Sequence, residues 1–202
     1  RTTMLNLTAA TNIFYKKADG STDAKNPSSS NITDTAEGWS WNYSTKTLVL
    51  DGINIVTSDL AAIELPDAST IELAEGSNNI ATSTFAGGID SDTFGVFCPG
   101  TLTVKGTGSL SATSGTTTRN YSLGLYAQGN LTILGGIIDG KGGHSPYRSA
   151  GILSAASVII SNGTIDAEAG YGLEISAGIL SFDSITIDNG AINAKGGDAR
   201  DI

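Results

Sequence analysis

One 22-residue segment occurs twice in this chain. Ser149–Gly170, SAGILSAASVIISNGTIDAEAG, returns as Ser176–Gly197, SAGILSFDSITIDNGAINAKGG, 27 residues further on and with 13 of the 22 positions identical. Self-similarity at a period of this length marks a solenoid, in which each repeat buries its apolar face only by stacking on its neighbours. Few other folds tolerate the same sentence written twice at a fixed offset.

Earlier coils are more diverged copies of the same unit. TLVL (47–50), TIEL (70–73), TLTV (101–104), NLTI (130–133), SVII (157–160) and SITI (184–187) alternate with period 2, the spacing of a strand with one buried face. Their inward column reads Leu48, Ile71, Leu102, Leu131, Val158, Ile185, with a second column two residues on. A turn follows each, built on DG, EG, GTG, GG, NG and NG, where glycine allows one residue to take positive φ. A second strand then places Ile55, Ile80, Leu110, Ile138, Ile165 and Ile192 inward, with mostly small residues two positions later. A third short strand precedes the unit and turns Ile63, Val96, Leu125, Ile152 and Ile179 inward, with Cys98 in the column of Ala127, Ser154 and Ser181 as a small buried thiol. Three short strands per turn of about 27 residues, stacked in parallel, describe an all-β parallel β-helix. The general preference for right-handed parallel crossovers makes it right-handed.

Residues 1–46 do not follow the rhythm and hold both tryptophans in EGWSWNY. They are expected to form an N-terminal β cap, and 47–202 the solenoid. DARDI after Gly197 offers no polar cap, so the natural protein is expected to continue with further coils or domains.

Composition narrows the function classes. A net charge of -9 with 11 Lys and Arg against 20 Asp and Glu argues against a nucleic-acid surface, which needs clustered cations. No run of 18 apolar residues is present, so no membrane-spanning helix is expected. The lone cysteine forms no intrachain disulfide and fits no cysteine-based zinc spacing.

Recognition chemistry has most room in the segments inserted between coils: 83–92, 114–122, 144–148 and 171–175. All leave the small-residue corner and should project from one side. They carry Phe85, Asp90, Asp92, Arg119, Tyr121, His144, Tyr147, Arg148, Tyr171 and Glu174, with Tyr126 nearby on an outward column of Glu64, Phe97, Tyr126, Leu153 and Leu180. In the repeat register His144 lies over Tyr171, and Tyr121 over Arg148. Flat rings beside charged forks suit pyranose faces and their hydroxyl or carboxylate substituents. The alternative is that these side chains only cover the corner, and that residues 1–46 or a C-terminal continuation pack over the apolar stripe. An outward pair, Asp139 and Asp166, is a candidate for calcium or, beside a Lys–Glu–Lys column, a solvated face. Neither this pair nor Asp90 with Asp92 has the acid–base context of a glycosidase, and the motif set of polygalacturonases is absent.

GWSWNYSTKTLVLDGINI (38–55), STIELAEGSNNIAT (69–82), GTLTVKGTGSLSA (100–112) and GNLTILGGIIDGKGG (129–143) resemble repeats of bacterial cell-surface proteins, carbohydrate-binding or adhesin-like, of gut anaerobes and clostridia. The resemblance spans about residues 37–197 and implies a right-handed parallel β-helix. It also implies an extracellular, non-catalytic module that binds a polysaccharide or a cell-surface glycan, in a family some of whose members are similar to calcium-using cellulose- and pectin-binding proteins. It identifies no ligand-binding residue. A lyase or hydrolase acting on pectin-like polymers, and a structural stalk, are the alternative readings.

Overall fold

The computed structural model describes residues 1–87 and 91–197. These contain twenty-two strands and no helix, hence no helix long and apolar enough to cross a membrane. The strands stack as a parallel β-solenoid of about five turns, roughly 27 residues apart. Sheet I holds Leu5–Asn6, Ala61–Glu64, Thr93–Cys98, Tyr121–Ala127, Arg148–Ser154 and Ile175–Ser181, all parallel. Sheet II runs from Thr47–Leu50 through Ser69–Leu73, Leu102–Gly106, Leu131–Ile133 and Val158–Ile160 to Ile185–Ile187. Sheet III runs from Asn54–Thr57 through Asn78–Ser83, Ser109–Thr113, Ile137–Lys141 and Thr164–Glu168 to Ala191–Lys195.

The aliphatic columns fill the interior. Leu48, Leu50, Ile71, Leu102, Val104, Leu131, Ile133, Val158 and Ile160 are buried, and Cys98 lies in the predicted column with Ala127, Ser154 and Ser181. Burial pushes its thiol above the ordinary value. The turns between sheets II and III bend at Gly52, Gly76, Gly106, Gly136, Gly163 and Gly190, each with φ between 70° and 123°. An L side chain there would meet its own backbone.

Two sequence expectations need correction at the early coils. Val104, not Leu102, pairs with Ile71, and Leu102 faces Ser69, a slip of two residues that keeps every side chain on its face because the period is two. In sheet III, Ala81 rather than Ile80 pairs with Ile55, and Asn79 pairs with Leu110. Ile80 therefore points outward, 38% exposed, and Asn79 points inward, 1% exposed. The interior accepts this amide because all its capacity is used. Its Oδ1 receives the Gly52 and Ile53 N–H groups, and its Nδ2 donates to Ser77 Oγ and the Ser109 carbonyl. A buried amide left unpaired would be costly.

At the N-terminal end, Leu5–Asn6 pairs in parallel with Ala61–Glu64. Ile32–Asp34 and Trp39–Asn42 extend sheet II with antiparallel strands, setting Trp41 opposite Leu48 and Trp39 opposite Leu50. Both indoles are buried, and Trp41 Nε1 donates to the Pro27 carbonyl at 2.8 Å. At the other end the inward columns of the last coil stand open, with Ile185 46% and Ile187 49% exposed.

Candidate functional site

The segments joining sheet III to sheet I stack on one another, so they share one side of the solenoid as expected. Thr116 N donates to the Phe85 carbonyl, Thr117 N to His144 and Ser145 N to Tyr171, and Ala86 bridges Thr116 as Ser145 bridges Gly172. Their inner edge is a ladder of glycines, Gly115, Gly143, Gly170 and Gly197. A Cβ on any of them would collide with the backbone of the preceding coil. A buried hydroxyl ladder stitches them together. Thr93, Ser122, Ser149 and Ser176 accept the N–H of Gly115, Gly143, Gly170 and Gly197 respectively, each in the following coil, at 2.6–3.1 Å. Ser149 and Ser176 return their own proton to the Gly143 and Gly170 carbonyls of the same coil. The sequence repeat begins on the serine and ends on the glycine that it binds.

The expected site residues separate into two groups. Tyr121, Tyr126, Arg148 and Glu174 belong to the outer face of sheet I, which carries a small core of its own. Phe94 stacks on Phe97 at 4.8 Å, and Tyr126 lies 5.5 Å and 5.6 Å from the two. Beneath them Leu123, Ala150 and Leu153 are buried although they face outward. The Arg148 guanidinium lies 5.4 Å above the Tyr121 ring and 5.2 Å above Phe182, with Glu174 3.7 Å from its Nε. Burial raises the pKa of the Tyr126 phenol. In this group the ring faces are spent on each other and the cation on two rings and a carboxylate. The apolar stripe is thus covered mainly by its own members, with Met4 packed against it and Asn6 and Thr8 bonded to Glu64 at its N-terminal end. Tyr147 touches the group edge-on, 6.4 Å from Tyr121, and remains 46% exposed.

The second group is open. His144 and Tyr171 sit on adjacent coils with ring centroids 6.3 Å apart and tilted by 46°, as the register predicts. They form one wall of a cleft of about 660 Å³ whose floor is Gly170, Gly196 and Gly197 and whose other wall is Glu168 and Lys195. These last two form an exposed ion pair at 2.9 Å. The Lys195 ammonium beside it holds the Glu168 carboxyl below its ordinary value. Sequence reasoning placed Glu168 and Lys195 on a solvated face and missed the cleft. The signal was the glycine column at 115, 143, 170 and 197, which only the stacking reveals as a floor. Arg119 is exposed on segment 114–122 and joins neither group.

Asp139 and Asp166 pair across sheet III, but Lys141 and Ser111 occupy Asp139 Oδ2 and Asn193 occupies Asp166 Oδ1. Asp139 Oδ1 is buried without a hydrogen-bond partner, and the pair by itself supplies fewer than the about six to eight oxygens that calcium takes. Among the described residues no three His, Cys, Asp or Glu side chains gather where they could hold a metal ion. Asp92 receives the Tyr121 N–H at 3.0 Å, and Asp90 lies outside the described residues.

The family model of the carbohydrate-binding domain-containing protein matches residues 40–200. The chain belongs to that family. Carbohydrate binding is thus the role the family match suggests for this carbohydrate-binding domain, and the two aromatic groups are its candidate surfaces. No curated protein matches the chain, and no solved structure matches it.

Proposed function

We propose that this chain is a non-catalytic carbohydrate-binding module working outside the cell, at a bacterial surface. The observation that carries the reading is the open cleft walled by the His144 and Tyr171 rings in a member of a carbohydrate-binding family. Tyr147, exposed at the rim of sheet I, offers a second ring for stacking. The non-catalytic part is supported by the lining of the cleft. A glycosidase sets two carboxylates across the scissile bond, whereas Glu168 is the one acidic side chain among the described residues that line it, and it is paired with Lys195 at 2.9 Å. An acidic chain rich in small polar residues and lacking a disulfide framework suits an extracellular bacterial solenoid.

Pull-down with insoluble polysaccharides tests the reading. The wild-type chain should be retained, and a Tyr147→Ala/Tyr171→Ala double variant should lose at least about tenfold in retention, the share expected of stacking residues at a hot spot. No retention on any polysaccharide, or equal retention of the variant, overturns it. Release of reducing ends or unsaturated uronates from the same polymers would instead make the module an enzyme.

A further inference from the structure

The cleft beside His144 and Tyr171 is one stretch of a longer construction. Its floor holds Gly170, Gly196 and Gly197, and Gly115 and Gly143 precede Gly170 and Gly197 in the same stacked column. One wall continues as the outward column of sheet III, where Thr113, Lys141, Glu168 and Lys195 pair in order. The other continues as Thr116, His144 and Tyr171, successive in the stacked segments. Floor and walls therefore repeat along the solenoid axis at the strand spacing of about 4.8 Å. That is close to the length one pyranose adds to an extended chain.

We infer that this groove holds an extended, neutral polysaccharide chain lying parallel to the solenoid axis, with about one sugar ring per coil. This rests on the carbohydrate-binding reading and adds the site, the direction and the charge class of the ligand. The glycines let successive coils stack closely, since a Cβ on any of them would meet the backbone of the coil before it, and so keep the groove in register along the axis. The ring wall offers apolar faces at His144 and Tyr171. The opposite wall alternates cation, anion, cation at Lys141, Glu168 and Lys195, with Lys141 tied to Asp139 at 3.0 Å and Lys195 to Glu168 at 2.9 Å. Such a wall presents donors and acceptors in turn, as hydroxyls require. Both cations of this wall are already paired with carboxylates, so a polyuronate would gain little from them and would set a charge against Glu168, in a protein already at -9. The open cleft reaches over three coils, from His144 to Gly197, which corresponds to about three rings.

The test uses calorimetric titration of the whole chain with neutral β-1,4-linked gluco-oligosaccharides, from monosaccharide to hexasaccharide, and with oligogalacturonates of the same lengths. Affinity for the neutral series should climb with each ring to about the trisaccharide and then level off. His144→Ala and Tyr171→Ala should each weaken the trisaccharide about tenfold or more. Glu168→Lys, at a side chain 44% exposed, should lower neutral binding and create oligogalacturonate binding that the wild type lacks, with a circular-dichroism melt as the check that the chain still folds. Length-independent neutral binding, tighter binding of the oligogalacturonates by the wild type, or unchanged binding in both ring variants overturns the groove. If polysaccharide is still retained in pull-down and the loss follows Tyr147→Ala alone, the module reading stands and the ligand lies on sheet I. If no polysaccharide is retained at all, both readings fall.

Discussion

Ser149 shows how much a single residue carries in a solenoid. Its hydroxyl accepts the Gly170 N–H at 2.8 Å and donates to the Gly143 carbonyl at 2.8 Å, so it ties two coils at a buried corner. Replacing it with Ala leaves both backbone groups without a partner, and an unsatisfied buried group costs about 1–3 kcal/mol. Ser149→Ala should therefore lower unfolding stability by about that amount in denaturant titration, with an unchanged m-value. A change below about 0.5 kcal/mol would mean that water replaces the hydroxyl. The position was visible in the sequence as the first letter of the repeat, but nothing local distinguishes this buried serine from the half-buried Ser157 of the same coil. Asn79 is the opposite lesson. Reading Ile80 inward followed hydrophobicity, yet the corner carries backbone N–H groups at Gly52 and Ile53 that need an acceptor, which Asn79 Oδ1 supplies.

Among the elements, the strands of sheet I are the ones the fold bends. Gly124, Gly151 and Gly178 bring them against the small residues of sheet III, and a Cβ on Gly151 would lie 2.5 Å from the Gly140 carbonyl and 2.6 Å from Glu168 N. Both obstacles are backbone and cannot rotate away. Gly151→Ala should therefore behave as an overpacked core position, costing about 1–3 kcal/mol and lowering the thermal midpoint by several degrees. A melt within 1 °C of wild type would show that sheets I and III can separate locally. The small residues at Ala112, Gly140, Ala167 and Ala194 were legible as a tight corner. Its consequence on the outside was not: Leu123 and Leu153 are buried there in a cluster with Phe94, Tyr121 and Tyr126. An outward column of apolar residues thus became a second small core, with four of the expected site residues in it or at its edge.

The whole molecule is a one-dimensional stack, and stability in such a stack is a sum of coil terms and coil–coil interfaces. In the coil of Ile185–Ile187 the inward side chains Ile185 and Ile187 are about half exposed, so among the described coils it should open first. Amide hydrogen exchange should be fastest in 184–195 and slowest in the middle coils, across 102–112 and 131–141. Uniform protection along the chain would mean that the solenoid opens only as a unit.

The 27-residue period by itself determined that the chain is a parallel β-solenoid, which strands it has and which columns fill its interior, because those properties follow from spacing and side-chain type along one strand. Membership of a carbohydrate-binding family was likewise readable in phrases such as TLVLDG and LTILGG. What only the tertiary structure decided is how the columns face one another around a coil. The two-residue slip between Ile71 and Val104, the closing of the sheet I face by Arg148, and the opening of a glycine-floored cleft between His144, Tyr171, Glu168 and Lys195 all depend on distances between residues about 25 to 60 positions apart. Repetition in sequence fixes what is stacked on what. The angle at which the chain turns each corner fixes which side chains remain available to a ligand.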